Sequence, residues 1–206
     1  MERKELKEWS KNKIKGHIWQ LLVPILVVGI LTTLTVGAKY QISEEGIIKV
    51  TSYGYNLGIL FCFLNVGLVY YLVQFIKDKE YQFSDLWKFI NDYVRILLVT
   101  ILEGIFTLLW ALLLIVPGII KAIAYSLVDF ILGDDQYKDL SYTEVLKKSE
   151  EMMMGHKMDY FVLTLSFIGW HILAIFTLGL LEIWIIPYEK VATTKFLLDV
   201  KEAYEK

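Results

Sequence analysis

Five side chains able to carry charge fall inside strongly apolar stretches: Glu103, Lys121, Asp129, His171 and Glu182. A charge at the centre of a membrane helix costs about 2.5–3.5 kcal/mol unless it is paired or hydrated, so these positions are where chemistry is to be sought. Glu103 and Asp129 lie deep in their stretches, and for them the structural and functional readings stand side by side. Lys121 follows Pro117 by four residues and Glu182 follows Gly179 by three. If both turns sit at one level, Lys121 and Glu182 form an ion pair near the outer face, with His171 close by. That pair is a structural pin between two hairpins or, in a sharper reading, the wall of a hydrated cavity for a solute or a proton.

Other groups offer less. His17, His156 and His171 are not spaced as metal ligands, and no Cys or carboxylate completes a set with them. Ser126 and Ser166 sit in apolar stretches without a nucleophile-elbow or serine–lysine motif. No glycine-rich phosphate loop is present. Met152, Met153, Met154 and Met158 suggest an apolar strip facing lipid before they suggest a soft-metal site. Cys62 is the single cysteine and reads as a packing residue, so no disulfide framework exists within one chain. The residues call for no catalytic role, no metal and no cofactor.

The elements that must position these groups are long and greasy. Of 206 residues, 56% are hydrophobic and 21% charged, and mean hydropathy is +0.49. The excess over soluble domains comes in blocks, which fits membrane spans better than one core. A bilayer core about 30 Å thick takes about 20 apolar residues as helix. Six spans are expected at about 18–36 (bent near Pro24), 55–76, 94–116, 119–133, 159–175 and 180–200 (interrupted at Pro187), with Pro117-Gly118 stopping the third. The fold class is therefore all-α: a polytopic membrane protein with six transmembrane helices in three hairpins. An N-terminal signal peptide is disfavoured, because the first apolar stretch is too long and Glu2, Glu5 and Glu8 precede it.

Lysine and arginine set the orientation, since they accumulate on the cytoplasmic side. The N-terminal segment carries six, the second loop four, the fourth loop four and the C-terminal part four, whereas Lys39 and Lys49 alone fall clearly on the other side. Both termini are expected in the cytoplasm. A net charge of −2 and the lack of any recognisable motif argue against a nucleic-acid partner.

Each hairpin is expected to follow a short amphipathic cytoplasmic helix lying in the headgroup layer. Ser141 to Glu144 spells a capping box, with Leu140 and Val145 placed as a hydrophobic staple. Leu86, Ile90 and Tyr93 oppose Lys88, Asn91, Asp92 and Arg95 in the second unit, and Leu6, Trp9 and Ile14 form a looser stripe in the first. Gly16-His17 and Gly155-His156 end the first and third at equivalent places. Such helices either dock anionic lipid or a partner, or simply set the angle of each hairpin. One integral membrane domain is expected, divided as 1–17, 18–76, 84–133, 141–200 and a tail at 201–206.

Arg3-Lys4-Glu5-Leu6-Lys7, Ile115-Val116-Pro117-Gly118-Ile119-Ile120, Tyr125-Ser126, Met154-Gly155-His156-Lys157, Leu165-Ser166-Phe167-Ile168-Gly169-Trp170, Thr177-Leu178-Gly179, Trp184 and Pro187-Tyr188 occur in an order that resembles the bacterial "domain of unknown function 975" integral membrane proteins, end to end. The resemblance implies a multi-span protein of the bacterial plasma membrane and supplies no activity. From the residues, the expected function is a non-enzymatic binding or interaction module for lipid, peptide or an envelope partner. The alternative is a small secondary transporter or channel using the buried carboxylates.

Overall fold

The computed structural model describes residues 3–33, 35–36, 39–42, 48–52, 55–113 and 115–205, and within 35–57 and 112–115 the backbone alone. Glu2, Lys206 and the small pair Gly37-Ala38 lie outside the described residues. Among them the chain forms α1 (Arg3–Lys13), α2 (Ile18–Thr32), α3 (Phe63–Ile76), α4 (Tyr93–Leu113), α5 (Ile115–Ala124), α6 (Val128–Leu132), α7 (Tyr142–Met152), α8 (Lys157–Phe176) and α9 (Glu182–Tyr204). Two short antiparallel ladders join α2 to α3: β1 (Thr35–Val36) with β4 (Tyr55–Asn56), and β2 (Lys39–Ile42) with β3 (Ile48–Ser52).

The first span is thus shorter than 18–36. Thr32 Oγ1 donates to Val28 O at 2.8 Å and Thr33 Oγ1 to Gly29 O at 2.7 Å. Those bonds occupy carbonyls in the last helical turn, and the β-branched residues Thr35 and Val36 then favour extended backbone.

The turn at Pro117-Gly118 also falls elsewhere. Helix α4 ends at Leu113, and Pro117 and Gly118 lie in the first turn of α5. A proline is tolerated there because first-turn N–H groups have no partner within the helix. Gly118 brings α5 back onto α4, since a Cβ at this position would meet Ala111 Cα at 2.7 Å. The expected span 119–133 is instead broken, with α5 and α6 separated by a turn at Tyr125–Leu127. At 1.5 Å per residue the 10-residue α5 covers about 15 Å, half a bilayer core. Helix α9, in contrast, runs unbroken through Pro187. The second amphipathic helix is replaced by two 3-10 turns, Phe83–Trp87 and Ile90–Asp92, the first opened by Asp85 accepting from the Gln82 backbone N–H at 2.8 Å.

Among the described residues, three stretches are long and apolar enough, by length and composition, to cross a membrane: Gly58–Ile76, Phe83–Ala111 and Lys157–Phe176. Arg3–Lys13 and Ile18–Thr32 pass as a pair but meet at 102°, so α1 lies across the start of α2. Burial separates the three, with 56% of the first window inside the protein against 11% and 17% of the others. Large apolar side chains of α2, α4, α5 and α8 point outward, among them Ile30, Val94, Leu108, Val116, Ile172 and Ile175. Helix α9, rich in charge, sits at the centre against α1, α2, α3, α7 and α8. The interior is apolar as well, with Ile185, Val191 and Ala192 of α9 fully buried, and apolar groups both inside and around the perimeter fit a hydrocarbon solvent.

Helices α1 and α7 turn their less polar face into the protein and leave little of it for lipid. Leu6, Ser10 and Ile14 are buried on one side of α1, with Arg3, Lys4, Glu8 and Lys11 exposed on the other. In α7, Val145, Leu146, Ser149 and Met152 are buried, while Met154 and Met158 beyond it are exposed. The four methionines therefore do not form one strip. The α7 capping box is present, with the Ser141 N–H and hydroxyl on Glu144 Oε2 at 2.8 and 2.7 Å. These bonds hold the exposed Glu144 carboxyl below its usual range.

Candidate functional site

The five candidate residues separate into three places. His171, from α8, stands between two carboxylates of α9. Its Nδ1 is 2.9 Å from Glu182 Oε1 and its Nε2 is 2.8 Å from Glu189 Oε2. Glu182 and Glu189 are seven residues apart, which places them on one helix face two turns along. A protonated ring donates at both nitrogens, whereas a neutral ring donates at one and accepts at the other from a protonated carboxyl. The three side chains keep 37%, 31% and 26% of their surface exposed, leaving a polar notch on an otherwise apolar hairpin. Glu189 is absent from the set expected from sequence, although its spacing from Glu182 is signal enough to find it.

Lys121 does not pair with Glu182. Its ammonium binds the Glu150 carboxylate of α7 and lies 5.3 Å from the Trp110 ring centroid. The reason is the break in the fourth stretch: α5 folds down on α4, and the chain then returns through α6 to lay α7 beside them. Lys121 accordingly faces α7, while Glu182 belongs to the α8–α9 hairpin.

Glu103 on α4 lies within electrostatic range of Asp129 on α6. The Cys62 thiol is buried, and Lys190 of α9 is the cation within electrostatic range of Asp129. Asp129 also lines a cavity of about 330 Å³ with Tyr70, Lys88, Asp134 and Lys201. Lys88 Nζ lies there 3.7 Å from the Tyr70 ring centroid.

That cavity opens among the feet of the helices, where charge is concentrated. Lys201 binds both Asp134 and Glu205, Lys77 binds Glu202 at 2.6 Å, and Tyr137 donates to Glu205 at 2.8 Å. Burial pushes the Asp134 carboxyl up, but its bonds to Lys201 and the Gln136 N–H outweigh this and hold it below the ordinary range. Burial raises the Tyr137 hydroxyl further, as does its bond to Glu205. A larger open cavity of about 760 Å³ lies nearby, lined by Arg3, Lys4, His156, Asp159, Phe196 and Asp199. Lys195 neutralises Asp199, which leaves Arg3 and Lys4 facing the single carboxylate of Asp159 on this wall. Lys7 packs 4.4 Å from the Phe167 ring centroid, and burial lowers its ammonium.

Among the described residues no three His, Cys, Asp or Glu side chains are arranged to hold a metal ion. The His171 group is a hydrogen-bonded bridge, with the imidazole between the carboxylates. Nothing among curated proteins or solved structures matches this chain. A family model described as "Protein of unknown function (DUF975)" matches residues 1–124 and 112–204. Those two segments leave only the last two residues unmatched, and the chain belongs to the DUF975 family.

Proposed function

We propose that the protein is a multi-pass constituent of the bacterial plasma membrane whose helical hairpins enter from the cytoplasmic side. It works there as a non-enzymatic binding module for lipid, peptide or an envelope partner. Both termini then face the cytoplasm. In support, the helix feet gather at one end. His17 meets Phe75 at 5.6 Å between ring centroids, Lys13 binds Asp78, and Arg3 and Lys4 share a cavity with Asp199 and Ala203.

The observation that carries the binding reading is that 760 Å³ cavity, which joins the cations Arg3 and Lys4, beside Asp159, to Phe196, Val200 and Ala203. A ligand with an anionic head and an apolar tail complements both parts, and an anionic phospholipid is the nearest example. The test is lipid identification by mass spectrometry after purification in mild detergent. Basic residues near a membrane surface contribute about 1 kcal/mol each, so Arg3→Ala with Lys4→Ala should lower retained anionic lipid by about 30-fold. Unchanged retention would overturn the assignment.

A transporter is the second reading, favoured by the Asp129 cavity and the neighbouring Glu103. Proton flux in proteoliposomes that vanishes with Asp129→Asn would move the balance to it.

A further inference from the structure

We infer that the α8–α9 hairpin does not cross the bilayer but ends inside it, its tip embedded among acyl chains as a re-entrant wedge. The inference rests on the membrane reading above and concerns which surface meets which part of the lipid.

Side chains at the tip come first. Residues 172–181 carry no charge. Ile175, Phe176, Leu178 and Leu180 are 73%, 83%, 95% and 71% exposed, so a loop in water would hold four large apolar groups outward. Leu178 has φ +52°, followed by Gly179 at +83°. A left-handed residue is least costly as Gly, Asn or Asp, and here the most exposed position is leucine.

The backbone gives a second, independent sign. From Thr177 to Glu182 six consecutive N–H groups all find acceptors within the turn. Thr177 and Gly179 donate to Ala174 O at 3.1 and 2.9 Å, and Leu178 to Ile175 O at 3.2 Å. Leu180 donates to Thr177 O at 3.1 Å, Leu181 to Thr177 Oγ1 at 3.3 Å, and Glu182 to Gly179 O at 3.0 Å. A loop in water can leave such donors to solvent, whereas hydrocarbon requires every one to be met internally.

Depth is the third. Helix α1 exposes Arg3, Lys4, Glu8, Lys11 and Asn12 and must stay in water or among headgroups. Yet Lys7 Nζ reaches Ser166 O at 3.5 Å, and Lys11 Nζ lies 5.9 Å from the Trp184 ring centroid. From Phe167 to the end of α8 at Phe176 the helix rises about 14 Å, and Trp184 is nearer still to the tip. A lysine stem adds a few ångströms, and the total falls well short of a core about 30 Å thick. Anchored at that level by α1, the tip stops near the bilayer centre. The α4–α5 hairpin shares the pattern, with no charge in 104–120 and the short α5.

The experiment uses full-length protein carrying Cys62→Ala and one new cysteine at a time: Leu178→Cys, Leu180→Cys or Lys49→Cys. Intact cells receive a membrane-impermeant maleimide. The proteins are then bimane-labelled and reconstituted in phosphatidylcholine vesicles brominated at defined acyl depths. Both tip cysteines should react at least about tenfold more slowly than Lys49→Cys until SDS is added, as expected of groups shielded by hydrocarbon. Their bimane should be quenched most by bromines near the acyl-chain ends and little by aqueous iodide. Tip labelling within about twofold of Lys49→Cys, iodide quenching, or a Leu178→Cys disulfide between two copies would each overturn the wedge. Loss of external labelling at Lys49→Cys alone would break the topology of the proposed function, while quenching at 178 and 180 would still decide the depth.

Discussion

At an offset of 139 residues, Leu6, Ser10, Ile14, Gly16 and His17 correspond to Val145, Ser149, Met153, Gly155 and His156. Each pair shares its environment: the first three positions are buried in both, the glycines have φ +81° and +85°, and each histidine precedes the next helix. Beyond this common entry the two units diverge. The first rises through α2 to a connection bearing Lys39, Glu44, Glu45 and Lys49, whereas the third rises through α8 to a tip with no charge. Their returning helices differ in the opposite sense. Helix α3 is apolar and 19 residues of its stretch qualify as a span, while α9 carries Glu182, Glu189, Lys190 and Lys195, all half-buried or exposed. One entry device thus delivers helices into two settings, and the connection at the top of the rise decides whether the hairpin has a polar far end.

The strongest way to break that contrast is charge at the two far ends. Leu178→Arg should cost about 2.5–3.5 kcal/mol of insertion if the tip lies in hydrocarbon, seen as a loss of membrane-integrated protein. Gln41→Arg, in the charged connection between α2 and α3, should leave the integrated fraction within about 0.5 kcal/mol of the parent. Equal effects at both ends would erase the distinction.

Next come the feet, where α9 is tied to the loop after α6. Lys201→Met strands the Asp134 carboxylate and should lower stability by about 1–3 kcal/mol, read as the melting temperature in detergent. The pH dependence sharpens this. The folded carboxyl titrates below its unfolded value, so the pair's contribution is full above the ordinary aspartate range and fades as pH falls through the depressed value. Lys201→Met should flatten that acid limb, and the limb's survival would assign it to other groups.

The smallest effect lies in the shared entry itself. Ser149 donates to Ala124 O at 2.7 Å and accepts from the Leu127 N–H at 3.3 Å, tying α7 to the turn after α5. Ser10 only bonds back to Leu6 O within α1, at 2.8 Å. Ser149→Ala should therefore cost about 1–2 kcal/mol and Ser10→Ala about 0.5 kcal/mol or less. Matching losses in thermal unfolding would mean that the two serines, despite equal burial, are not distinguished by their partners.

Local chemistry makes a good part of this visible without coordinates. Apolar blocks of helical length, the Ser141–Glu144 box and the paired Gly-His turns all depend on residues within a few positions of one another, so composition and spacing suffice. His171 with Glu182 is legible for the same reason, the two flanking one tight turn. Some misses are local, such as the early end of α2 at Thr32 and the 3-10 turns at 83–92, but those that decide the site involve distance along the chain. Whether Lys121 meets Glu182 or Glu150, whether α9 spans or fills the centre, and where Pro117 falls in its hairpin are decided by how α5 folds onto α4 and how α1 crosses α8 and α9. Such contacts arise from packing between segments far apart in sequence. No pattern in one segment records which partner buries its polar face, because that choice belongs to the free energy of the whole assembly.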